Sequence, residues 1–78
     1  MNPSVVGKTL RELRGNKTLE EVASDLGISV SALTMYELGN RVPRDEIKIK
    51  LASYYNKTVG FIFFSENVTD GDKMDEGV

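Results

Sequence analysis

The chain contains neither histidine nor cysteine. That removes the commonest general base, the thiolate nucleophile, and any disulfide or thiolate–metal frame. Paired acids occur at Glu20-Glu21 and Asp45-Glu46, but both pairs fall at helix starts, where capping and the helix dipole account for them. No glycine-rich phosphate loop is present, so the composition argues against an enzyme, and the residues call for no cofactor or metal. What remains is recognition chemistry carried by hydroxyls, amides, cations and apolar side chains. Its densest concentration is Val30, Ser31, Ala32, Thr34 and Met35, followed by Asn40, Arg41 and Arg44.

These side chains depend on the stretch from Thr18 to Pro43 for their placement. Thr18 and Glu21 stand at the spacing of a capping box, in which hydroxyl and carboxylate each bind the other's backbone amide. Val22, Ala23 and Leu26 then recur at the spacing of one buried helical face. Gly27 suits a left-handed stop, having no Cβ to clash. Only Ile28 separates it from Ser29, which can cap a second helix running through Leu33 and Tyr36 to Leu38. So short a link forces a steep crossing, and Ala23 leaves room for close approach. The pattern predicts a helix-turn-helix.

Around it, Val6, Leu10 and Leu13 form one stripe of an amphipathic helix from about Pro3 to Arg14, capped by Asn2 and ended by Gly15-Asn16. A fourth helix is expected from about Arg44 to Tyr55, with Ile47, Leu51 and Tyr54 or Tyr55 inward. A fifth follows Thr58 over Val59–Phe64. The fold class is therefore all-α, a compact five-helix orthogonal bundle. Its expected core is Val6, Leu10, Leu13, Val22, Ala23, Leu26, Ile28, Leu33, Tyr36, Ile47, Leu51, Tyr54, Ile62 and Phe63. At 78 residues this is one small domain, which buries only about 60–65% of its unfolded surface.

The motif A-x-x-L-G-I-S at Ala23–Ser29, followed by S-x-L-T-x-Y-E-x-G-x-R-x-P at Ser31–Pro43, resembles the Cro/repressor-type (XRE-like) helix-turn-helix family of phage and bacterial regulators. The likeness covers roughly Val6 to Phe64 and implies a lambda-repressor-like DNA-binding domain. In that geometry the second motif helix enters the major groove, where each base pair shows a distinct edge. Leu33 and Tyr36 point inward, leaving Val30, Ser31, Ala32, Thr34 and Met35 as base-contact candidates. Ser31 and Thr34 can hydrogen-bond to bases, while Val30, Ala32 and Met35 can touch a thymine methyl but cannot donate. Gln, Arg or Asn are frequent in the family here and are missing, so direct readout should be modest and DNA shape should contribute.

Phosphate-contact candidates are Ser29 at the positive helix end, Lys17 near the start of the first motif helix, and Asn40, Arg41 and Arg44 in the loop that the resemblance brings to the DNA backbone. Many family members carry a polar residue just after the first motif cap; Leu19 stands there instead, so one usual phosphate anchor is lost. The resemblance also implies a partner for Glu37 near the end of the first helix, which here is Arg14. The alternative is that Glu37 accepts from a cytosine amino group.

One recognition helix covers few base pairs, so a homodimer on double-stranded DNA is expected, with palindromic half-sites about 10 base pairs apart. The run Phe61-Ile62-Phe63-Phe64 is too apolar for one short helix to bury. With Ile62 and Phe63 assigned to the core, Phe61 or Phe64 with Val59 forms the candidate dimer patch; the alternative is that all of them pack internally.

The charge is unevenly spread. Residues 1–64 hold nine Lys/Arg against seven Asp/Glu, a balance of +2, whereas residues 65–78 hold one lysine against five acids, a balance of −4. The division is a DNA-binding domain over 1–64 and a mobile acidic tail over 65–78, in which Glu66–Thr69 could form a brief strand. No apolar run approaches the ~18 residues that span a bilayer and no signal-peptide pattern opens the chain, so the expectation is a cytoplasmic protein without membrane or small-molecule partners. Two functions follow: a sequence-specific regulator, in the repressor style of prophages and mobile elements, or an antitoxin-like or accessory protein-interaction module using the same fold.

Overall fold

The computed structural model describes residues 1–64; the expectations for the acidic tail and the strand at Glu66–Thr69 lie outside them. Five helices are present among the described residues: α1 (Pro3–Arg14), α2 (Leu19–Leu26), α3 (Val30–Leu38), α4 (Asp45–Tyr55) and α5 (Val59–Phe63). There is no strand among the same residues. The fold is all-α.

Each boundary follows from local chemistry. The Asn2 side chain accepts from the Ser4 amide at 3.0 Å, ahead of Pro3 in the first turn of α1. Thr18 and Glu21 bind each other's amides, both at 3.0 Å, and close a reciprocal cap on α2. Gly27 lies in the left-handed region at φ 72°, so the Ile28 amide turns back to the Ala23 carbonyl at 3.0 Å. A side chain at that φ would clash with its own backbone. Ser29 then caps α3 by accepting from Ala32 at 3.0 Å, and Thr58 caps α5 through Phe61 at 3.0 Å. Arg44 precedes α4 with no side-chain cap; Asp45 and Glu46 in the first turn supply the favourable charge instead.

Leu10, Val22, Leu33, Leu51, Ile62 and Phe63 are fully enclosed, joined by Val6, Ala23, Leu26, Tyr36 and Ala52. Four expected core residues, Leu13, Ile28, Ile47 and Tyr54, are only half-buried and pack against this cluster from its margin. A small bundle cannot cover every helix stripe to its edge. Pro43 and Ala52, which periodicity alone did not mark, are buried as well.

The most extensive helix–helix contact among the described residues is between α1 and α3. A Cβ on Gly7 would meet the Glu37 carbonyl and stand 2.9 Å from that of Tyr36. The missing side chain lets α1 lie directly on the backbone of α3. Lys50 ties α4 to α2 by donating to the Leu26 carbonyl at 3.1 Å, a cation on the negative end of a helix. Lys17 donates to the Tyr54 hydroxyl at 3.0 Å, which in turn donates to Asp25 at 2.7 Å. That chain connects the start of α2, its last turn, and the end of α4.

Candidate nucleic-acid interface

α3 carries apolar side chains on both sides. Leu33 and Tyr36 enter the core, while Val30 and Met35, each 37% exposed, and Leu38, 62% exposed, face outward. Val30 and Thr34 are four residues apart, as are Ser31 and Met35, so they stand in two adjacent columns on the outer face. Ser31 is exposed, but Ala32 and Thr34 are half-buried. Ala32 leans against the core and, like Thr34, is less accessible than Val30, Ser31 and Met35. Thr34 donates its hydroxyl proton to the Val30 carbonyl at 2.8 Å. Toward a base it can therefore only accept, and Ser31 holds the hydroxyl still free to donate.

The end of α3 is fixed to α1 by Arg14 and Glu37. Arg14 Nε donates to one carboxylate oxygen at 2.8 Å and Nη2 to the other at 3.0 Å, while Nη1 reaches the Lys17 carbonyl at 2.9 Å. The Glu37 side chain is 5% exposed and that of Arg14 is 18% exposed. Forked geometry in partial burial makes this a strong pair, and the hydrogen bond to Glu37 raises the Arg14 pKa further above its ordinary value. Both carboxylate oxygens of Glu37 are engaged within the protein. Beneath lies Tyr55, whose buried hydroxyl has no hydrogen-bond partner among the described residues. Burial first, and then the charge of Glu37, push its pKa up to about 12.

Around α3 the cations differ in their commitments. Arg41 and Arg44 are exposed in the connection to α4, and neither forms an ion pair among the described residues. Asn40 is exposed, with its amide bound to the Met35 carbonyl at 3.0 Å. Lys17 is exposed but engaged by Tyr54, first through the hydrogen bond and then through the phenol's charge, which raises its pKa. Leu19 is half-buried against the core and lines a cleft of about 220 Å³ with Arg11, Arg14, Thr34, Glu37 and Leu38. The residue that displaces a polar phosphate anchor is thus a packing residue. Arg11, not singled out from the sequence, brings a second guanidinium to this cleft; its signal was the three-residue spacing to Arg14.

A separate apolar surface lies on α4 and α5. Phe61 and Phe64 are 43% and 48% exposed, and Ile49 is 62% exposed, whereas Val59 is half-buried. Val59, Phe64 and Ile49 share a cavity of about 310 Å³ with Asp45 and Lys48. The Lys57 ammonium lies 5.2 Å from the centre of the Phe61 ring. Ile49 was not anticipated, because it falls between inward Ile47 and Leu51 and off their stripe.

No cluster of His, Cys, Asp or Glu among the described residues could hold a metal ion, and no described helix is long and apolar enough to cross a membrane. A capped helix pair in an all-helical bundle, with the outer helix exposed and followed by arginines that form no ion pair among the described residues, defines a helix-turn-helix protein. Residues 8–62 match the helix-turn-helix family, and the chain belongs to it, in its XRE-like branch. This is a family of DNA-binding transcriptional regulators, not an enzyme family. Comparison with curated proteins and with solved structures gave no significant match.

Proposed function

We propose that the protein is a transcriptional repressor that binds a palindromic operator as a homodimer and occludes polymerase from the promoter. The observation that carries this is the exposed face of α3, with the Ser29-capped end leading it and Arg41 and Arg44, free of ion pairs among the described residues, following it. Ser31, Val30 and Met35 face the bases, Thr34 supports them as an acceptor, and half-buried Ala32 contributes less than the exposed three. Ser29, Asn40, Arg41 and Arg44 hold phosphates, and Lys17 joins them with the protons that Tyr54 leaves free. Phosphate contacts fix the register, and base contacts specify. The Arg14–Glu37 pair serves to hold α3 at its angle. Dimerisation uses Phe64, Val59 and Ile49, with Phe61 at the rim.

In vitro selection from random duplexes tests this directly. The reading expects an inverted repeat with half-sites about one helical turn apart and affinity that falls steeply with salt, because phosphate neutralisation releases counterions. Recovery of no preferred duplex would leave the second reading, a protein-interaction module. That reading draws on the apolar character of the outer face, where Val30, Met35 and Leu38 present more hydrocarbon than hydrogen-bonding groups.

A further inference from the structure

We infer that α3 reads its operator chiefly through the C5-methyl groups of thymine, with Val30 and Met35 as the specificity-determining residues. The inference rests on the DNA-binding reading and assigns the chemistry that its site would recognise. In the major groove, thymine differs from cytosine by a methyl group as well as by the sense of its hydrogen bond. A surface that reads methyls needs exposed hydrocarbon at the groove-entering end of the helix and few competing donors. Both conditions are met. Val30 and Met35 are 37% exposed on adjacent columns, and Thr34, directly beyond Val30, has its hydroxyl turned back to the Val30 carbonyl at 2.8 Å. No Arg, Lys, Asn or Gln occurs between Val30 and Leu38, so no side chain of the helix can make the paired contacts that select guanine or adenine.

The apolar face needs an occupant, and its surroundings favour duplex DNA. Arg41 and Arg44 carry no ion pair among the described residues, and the exposed Arg11 shares a cleft with Thr34 and Leu38 of α3. An apolar strip flanked by cations complements a groove floor of methyl groups between two rows of phosphates. It complements a second copy of the same strip poorly, since the flanking charges would repel.

The experiment uses the full chain and the duplex recovered by selection. Each thymine is replaced in turn by deoxyuridine, which deletes the methyl and leaves the base pair intact, and binding is followed by fluorescence anisotropy at fixed salt. One or two thymines per half-site should each lose about fourfold in affinity on replacement, the worth of one buried methyl. Val30→Ser or Met35→Ser should abolish that loss at one position each without moving the melting temperature. At a position where cytosine replaces such a thymine, 5-methylcytosine should bind better than cytosine.

Equal binding of all uracil duplexes would overturn the methyl reading while leaving DNA binding intact. Failure to recover any duplex would remove both. Should Val30→Ser and Met35→Ser change sedimentation rather than duplex affinity, the face is a self-association surface and the inference fails.

Discussion

At the scale of single residues, the molecule turns on the partners of Glu37. A carboxylate 5% exposed is tolerable only because the Arg14 guanidinium occupies both its oxygens, and taking away the cation would strand a buried charge. Arg14→Met should therefore cost about 2–3 kcal/mol, a little below the range for wholly enclosed pairs because Arg14 keeps some water contact. Thermal denaturation at neutral pH measures it, and a loss below about 0.5 kcal/mol would show the pair to be ornamental. Tyr55 is the opposite case. Its hydroxyl is buried without a partner among the described residues, so Tyr55→Phe should leave stability at neutral pH unchanged or raise it by about 1 kcal/mol. The sign of its pH dependence is also fixed. The folded pKa is raised from 10.0 to about 12, so below pH 10 the phenol is neutral in both states and has no effect. Above that, the unfolded chain ionises first and stability falls until pH 12. Urea denaturation across this window should show a shallower fall in Tyr55→Phe than in the parent protein.

Among the elements, those with local signals and those set by distant contacts separate cleanly. Thr18, Glu21, Ser29 and Thr58 act on amides three residues away and Gly27 turns the chain through its own φ, so the starts of α2, α3 and α5 and the end of α2 could be read from spacing alone, whereas α5 stops at Phe63, one residue short of the expected Phe64. The inward pair Leu33 and Tyr36 was legible for the same reason. Gly7 was not. Nothing in its own neighbourhood says that the carbonyls of Tyr36 and Glu37 will lie against it, because that is a property of how α1 crosses α3. Ala52 and Pro43 are buried by equally remote neighbours, and Thr34's inward-turned hydroxyl depends on a rotamer that composition does not reveal. Replacing Gly7 measures the difference between local and remote control. In an isolated helix Gly→Ala would gain about 0.8–1 kcal/mol in propensity. Here the added methyl must displace backbone, and overpacking costs about 1–3 kcal/mol. Gly7→Ala should therefore be a net destabilisation, and a raised melting temperature would show that α1 and α3 are more loosely joined than the geometry implies. Because α1 sets the angle of α3, the same variant should weaken duplex binding more than the stability loss alone requires.

At the scale of the whole molecule, the described residues present apolar faces on α3 and on α4–α5, and under the proposed function the two have different occupants. The α3 face is flanked by Arg11, Arg41 and Arg44, which form no ion pair among the described residues. The α4–α5 face pairs Ile49, Val59 and Phe64 with one acidic residue, Asp45, and one basic residue, Lys48, which are themselves bridged at 3.4 Å. A surface carrying both signs can match its own copy across a two-fold axis, where each patch meets itself; one flanked by a single sign cannot. Two copies joined there would carry two α3 helices on one particle, and the second half-site would then bind at high effective concentration. Breaking that linkage should forfeit on the order of 10²-fold or more of operator affinity without touching either recognition helix. Ile49→Asp is the variant to use, since Ile49 is 62% exposed and its loss should leave the melting temperature of the monomer nearly unchanged. Sedimentation should show a dimer becoming a monomer, while affinity for an isolated half-site stays the same. Full operator affinity retained by a monomeric variant would mean that one α3 helix suffices for recognition, and the two faces would then have no need of each other.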